Sequence, residues 1–145
     1  MSDPSGLSTN RWLYQLIARP TATYAALISP HAVDVRDVAT AAVRALSAPA
    51  QHPGEGRRRR RVLLHGGSFT WTDAVRHLAH VRQELKGRLV EGGDPSVDQG
   101  DATSVARLDI TVAKEDLGME SFIDWHQTVE DAMDSMIQRE DAWAT

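Results

Sequence analysis

Three groups of residues in this 145-residue chain have types and spacing suited to chemistry. The first is the run Arg57, Arg58, Arg59, Arg60 and Arg61. Consecutive guanidiniums neutralise phosphates and release their counterions, which gives nucleic-acid binding that weakens with salt. The second is the turn Gly66-Gly67-Ser68, directly after the apolar residues 62–65. Paired glycines let backbone N–H groups face an anion, and the positive end of a following helix favours the same charge. The third is His77, His80 and Glu84, which a continuous helix would place on one face as metal ligands. His65, His126 or water would complete such a set.

Each group also has a plainer reading. Arginine outnumbers lysine 14 to 2, the coding bias of a GC-rich bacterial genome, so an arginine run is less informative here than elsewhere. No aromatic interrupts the run to stack on bases, and a charged linker there would blunt the edge of an adjoining strand. The glycine turn lacks both Gly-x-x-x-x-Gly-Lys-Ser/Thr and Gly-x-Gly-x-x-Gly. Its residues His65-Gly66-Gly67-Ser68-Phe69 resemble the oxyanion-loop motif of α/β-hydrolase esterases over about eight residues. That resemblance implies backbone donors aimed at a developing oxyanion. The Gly-x-Ser-x-Gly elbow is absent, however, and the chain is short for that fold. A turn through positive φ that then caps a helix explains the same residues. The His77, His80 and Glu84 face lies opposite an apolar stripe, as a solvated or partner-facing side would.

The last predicted helix carries Glu120, Asp124, Asp131 and Asp134 on an outer face suited to a basic partner. His126 falls near its apolar stripe and reads as a hydrogen-bonded core or interface histidine. Four tryptophans stand against two phenylalanines and two tyrosines. Trp71 and Trp125 are expected in the core, whereas Trp143, near the end, is a candidate partner contact.

These groups need elements to position them, and composition sets the frame. One domain of 145 residues is expected, with 41% hydrophobic and 25% charged residues, the mix of a globular chain. Without cysteine there is no disulfide, thiolate nucleophile or Cys-based metal site. No membrane span and no secretory leader are apparent, so a cytoplasmic protein is expected. The net charge of −4 hides two unlike halves. Residues 57–91 hold nine basic side chains against Asp73, Glu84 and Glu91. Residues 109–141 hold ten carboxylates against Lys114 and Arg139. Such halves attract, within a chain or between two.

Residues 1–7 read as a flexible tail, and residues 48–60 and 92–103 as mobile loops. A helix begins near Ser8 or Thr9, with Trp12, Leu13, Leu16 and Ile17 at helical spacing. Pro20 interrupts it and opens a second helix, which Pro30 ends. Asp34 caps a third, whose Val35, Val38, Ala42 (or Ala39) and Leu46 form a narrow stripe ending before Pro49. Residues 62–65 predict a strand. A helix follows from about residue 70 to about residue 90, with Trp71, Ala74, Leu78, Val81, Leu85 and Leu89 on one face. Ala106, Leu108, Ile110 and Val112 alternate with polar residues and predict a second strand. A final helix has an apolar face of Phe122, Trp125, Val129, Met133, Met136 and Ile137.

The expected fold is α+β, a helical N-terminal half followed by strand-helix-strand-helix. Two strands make a poor sheet, so a second chain is expected to complete or cover it. The leading functional expectation is a non-enzymatic bacterial adaptor or accessory subunit, acting through protein contacts and self-associating as a homodimer. No cofactor is expected. The alternatives are nucleic-acid binding through residues 57–61 and a phosphate- or ligand-binding protein or enzyme built on Gly66-Gly67-Ser68.

Overall fold

The computed structural model describes residues 7–18, 31–48, 61–90 and 108–143. The elements run α1 (Asn10–Ala18), β1 (His31–Ala32), α2 (Val35–Ser47), β2 (Gly67–Ser68), α3 (Trp71–Val81), a 3-10 turn (Gln83–Leu85), α4 (Thr111–Leu117) and α5 (Trp125–Trp143). The class is α+β: the described residues form five helices and one antiparallel two-stranded sheet, pairing His31 with Ser68 and Ala32 with Gly67. The predicted second helix, the 92–103 loop and most of the 48–60 loop lie outside the described residues. So does the 1–6 part of the tail.

α5 is the spine. Its buried Val129, Met133 and Met136 meet Leu13, Leu16 and Ile17 of α1 on one side and Ala74 and Leu78 of α3 on another. α1 therefore forms where Leu13, Leu16 and Ile17 recur at the helical period and bury together. A second, smaller cluster joins Ala41 of α2 to Ala113 and Leu117 of α4 and to Met119. Among the described residues no helix is long and apolar enough to cross a membrane.

α3 starts as its sequence dictates. Thr70 accepts the Asp73 N–H at 3.0 Å, and the Asp73 carboxylate accepts the Thr70 N–H at 3.2 Å, a complete capping box. The helix stops at Val81, nine residues before the expected end near residue 90. Arg82 leaves helical geometry at φ −119°, ψ 72°, and the Gln83 side chain donates to the His80 carbonyl at 2.9 Å. The break lets Leu85, Leu89 and Val90 turn back into the core, where the Val90 N–H meets the Leu16 carbonyl at 2.9 Å.

Both expected strands are corrected. Residues 62–65 are irregular, and pairing begins only at Gly67. Residues 108–110 are irregular, and Thr111–Leu117 is helix; Ala106 and Arg107 lie outside the described residues. Alternation there loses to local chemistry. The Asp109 carboxylate accepts the Thr111 N–H at 2.9 Å and opens a turn of helix. Ala113 and Leu117, four apart, bury together, and Gly118 at φ 61° ends the helix in the left-handed region.

α2 is set with its polar side inward. Asp34, 3% exposed, caps the helix by accepting the Arg36 N–H at 2.8 Å. It also accepts Arg36 Nε and Nη2, at 2.8 and 2.7 Å, and the Thr128 hydroxyl of α5 at 3.2 Å. Asp37, also buried, accepts the Ile123 N–H at 2.9 Å. Arg44 donates to the carbonyls of Leu117 and Gly118 at the end of α4. The expected stripe of Val35, Val38, Ala42 and Leu46 consequently faces outward, Val35 at 78% and Leu46 at 87% exposure.

Asp34 makes this arrangement sensitive to acid. Hydrogen bonds from Arg36 hold its carboxyl down to about 2, against an ordinary 3.8. A carboxyl with a lowered folded pKa contributes stability above its unfolded value and loses it as pH falls through the folded one. The contribution is thus present above pH 3.8 and disappears as pH falls toward about 2. Asp34→Ala should cost about 1–2 kcal/mol at neutral pH, the scale of a lost helix cap. Urea unfolding between pH 7 and pH 2 should show a flatter acid limb for the variant. Equal pH slopes for the two proteins would remove Asp34 as their cause.

Candidate functional site

The sheet places three polar side chains against one another. His31 of β1 and Ser68 of β2 face each other across the strand pair, and His65 enters from the segment before β2. His31 Nδ1 lies 3.2 Å from His65 Nε2 and 3.1 Å from Ser68 Oγ, and His65 Nε2 lies 3.2 Å from Ser68 Oγ. All three are partly buried, and the imidazoles meet edge-on with centroids 5.0 Å apart. Burial first, and then the neighbouring His31, push the His65 pKa below its ordinary 6.5. A hydroxyl shared by two imidazoles can donate to a carbonyl or accept from an alcohol, and it can pass a proton.

The glycines before Ser68 serve close packing. The Gly66 N–H donates to the Ala32 carbonyl at 2.8 Å, so it is committed to the chain and not aimed at an oxyanion. A Cβ at Gly66 would sit 3.1 Å from the Ile123 carbonyl oxygen and 3.4 Å from that of Ala32. Gly67 has φ +156°, and a Cβ there would lie 3.3 Å from the Trp125 ring. These contacts seat β2 on the start of α5. The α3 N-terminus beyond it is filled by Thr70 and by the negative carboxylate of Asp73, which opposes a bound phosphate.

Beside this turn lies an aromatic stack. Trp125 stacks on Phe69 with centroids 5.0 Å apart and on His126 with centroids 3.7 Å apart. His77 meets the His126 ring edge-on at 4.5 Å, and its Nε2 lies 2.7 Å from Glu130 Oε1. His126 in turn bonds the Asp124 carboxylate. Trp71 is half-buried against Phe69, and its Nε1 is a buried donor without a partner.

The expected metal face is not assembled. His77 turns to Glu130, His80 is exposed, and Glu84 lies beyond the end of α3, paired with Arg82. Among the described residues no group of three or more His, Asp or Glu side chains is placed to hold a metal. Of the arginine run only Arg61 is described, and it is exposed; Arg57, Arg58, Arg59 and Arg60 lie outside the described residues.

Four of the five candidate partner residues, all but Glu120, have partners in the same chain. Asp131 pairs with Arg36 at 2.6 Å, Asp134 with Arg82, and Asp124 with His126. Glu140 takes Arg88 Nη1 at 3.0 Å and the Tyr14 hydroxyl at 3.0 Å. Trp143 packs edge-on against Tyr14 of α1, centroids 5.1 Å apart. Glu120 is exposed. Between the two charged halves, Arg82 and Arg88 meet Asp134 and Glu140 inside the chain.

Sequence reasoning singled out Ser68 and named His65 in the oxyanion-loop resemblance and as an auxiliary metal ligand, and it missed His31. His31 and His65 are 34 residues apart and meet only through the strand pairing, so no local spacing announces them.

Compared with known proteins, the sequence matches no family model and no curated protein. In structure it is similar to Gre2 from Candida albicans, crystallised in complex with NADPH. The two share 27% sequence identity with a TM-score of 0.62, over 91% of this chain and 37% of the Gre2 chain. The chain therefore spans little more than a third of the length of the protein it resembles.

His65 gives the site a measurable signature. By NMR titration its imidazole should take up a proton below pH 6.5, and His31→Gln should move that titration part of the way back up. Because the folded pKa is depressed, the unfolded chain protonates first, and the fold should lose stability as pH falls below 6.5. A titration at or above 6.5 would show that burial and His31 do not act on His65.

Proposed function

We propose that this chain is the smaller lobe of a two-part cytoplasmic protein that binds NADPH, and that it acts by docking on a larger nucleotide-binding body. One observation carries the reading: nearly the whole chain shares the fold of a minor part of an NADPH-bound protein, at 27% identity. The body belongs to the same assembly, whether on one polypeptide or two. This is an accessory role exercised through protein contacts.

Local geometry supports the division of labour. The described residues do not fit the phosphates of a dinucleotide. The Gly66-Gly67 turn has its Gly66 N–H bonded to Ala32, and the helix after it is capped by its own carboxylate. Phosphate binding at helix starts needs open N–H groups and favourable charge. In this reading the nucleotide is held by the larger body, and the lobe contributes the His31, His65 and Ser68 cluster as a source of hydrogen bonds.

The test exchanges parts. A Gre2 chain in which this sequence replaces the matched portion should fold and bind NADPH in equal stoichiometry, read from the nucleotide's fluorescence. The chain alone, at the same concentration, should leave that fluorescence unchanged. Tight NADPH binding by the isolated chain, or a folded chimera without NADPH, would overturn the reading. A salt-sensitive complex of the chain with DNA or RNA would favour the arginine run instead.

A further inference from the structure

The face of α2 that looks away from the protein is the least expected surface on the molecule. Its four large residues, Val35, Val38, Val43 and Leu46, are four of the six exposed large hydrophobics among the described residues. At 100° per residue, these side chains and the alanines at 39, 42 and 45 fill an arc of about 160° with no polar residue in it. All seven are exposed. The opposite side of the helix, with Asp37 and Arg44, is the side bonded to the protein. Amphipathicity is thus reversed, and a helix built this way in isolation leaves its apolar half in water.

We infer that this arc is where the larger, nucleotide-binding body docks. The inference rests on the two-part reading above and adds the contact surface. Two arguments choose the occupant. The first is charge. Arg36 is held by Asp34 and Asp131, and Arg44 by the carbonyls of Leu117 and Gly118. Arg36 is the one cation at the arc's edge and Arg44 lies on the opposite side, both with partners on this chain, so the matching surface is an uncharged aliphatic face, not a nucleic acid or an acidic peptide.

The second is area. A helix of 13 residues is about 20 Å long and about 10 Å across. Its outer face is a few hundred Å² at most, well short of the roughly 800 Å² per partner of a stable complex. A second copy meeting helix to helix would bury too little. A body larger than the lobe can cover α2 and continue beyond it, and the matched region of Gre2 has such a body attached, because most of that chain lies outside the match.

The absence of cysteine from this sequence makes the test clean. Val38→Cys and Leu46→Cys, with Thr40→Cys on the exposed polar side of α2 as the control, are labelled with a maleimide and followed by peptide mass spectrometry. In the isolated chain all three should react at similar rates, and circular dichroism should confirm an unchanged fold. In the Gre2 chimera the thiols at positions 38 and 46 should react at least tenfold more slowly, with the control still fast. Equal rates at all three positions in a folded chimera would overturn the inference, and so would an insoluble chimera. Protection at 38 and 46 in the isolated chain, rising with concentration alongside a doubled mass, would assign the arc to a second copy. Protection in a chimera that holds no NADPH would leave the docking face standing and remove the nucleotide reading.

Discussion

Two buried carboxylates decide how this molecule is put together. Asp34 ties the end of β1, the start of α2 and the side of α5 through Arg36 and Thr128, and Asp37 receives the N–H of Ile123 just before α5. A carboxylate taken out of water is costly unless hydrogen-bonded, and both of these are. Together they fix the rotation of α2 about its own axis. Turning the helix to bury its valines would expel both carboxylates from their donors and leave the Ile123 N–H unsatisfied. Burying three valines and a leucine is worth about 1.5–3 kcal/mol each in full, and that gain is deferred to whatever covers α2. The helix is held by polar contacts worth less individually, because they have directions that apolar contacts lack.

α5 does the complementary work. Its inner side is apolar, with Met133 fully buried, and its flanks carry the acidic residues that bond Arg36, His77, Arg82 and Arg88. Partly exposed pairs of this kind contribute about 0–1 kcal/mol apiece, so they do not account for the fold's stability. What they do is choose register. Each basic partner comes from a different place, α2, α3, its C-cap and the segment after the 3-10 turn, and each meets its own carboxylate along the helix. The charge asymmetry of the sequence is in this sense an instruction for packing its two halves.

How far this was legible in the sequence follows from the range of each interaction. α1, the Asp34 cap, the Thr70 and Asp73 cap and the apolar face of α5 from Trp125 onward were readable, because each is set within a few residues, whereas Glu120, Phe122 and Asp124, expected on the same helix, lie before its start. The end of α3 was not. Its apolar stripe continues in sequence through Leu85 and Leu89, and only the contact of Val90 with Leu16 shows that these leucines reach the core by a different route. The strand predicted at residues 106–112 failed because alternation over so short a stretch yields to an Asp109 turn and a Gly118 stop. The His31, His65 and Ser68 cluster was half visible. Ser68 stood next to a conspicuous glycine pair, whereas His31 depends on a pairing that no local pattern encodes.

The same distinction explains why the Gly66–Gly67 turn drew the wrong chemistry. Adjacent glycines before a helix are compatible with an anion cradle and with close packing of two backbones, and spacing alone treats the two alike. The atoms around the missing Cβ positions separate them: two carbonyl oxygens at Gly66 and an indole ring at Gly67. An anion would not sit well beside carbonyl oxygens, whose partial charge has the same sign. At α2 the opposite inference applies, since an apolar arc turned to water violates the rule that local pattern and fold agree, and such violations concentrate where a protein meets something else. The glycine turn looked functional and is spent on internal packing, while the plain valine-rich helix carries the surface left to be covered.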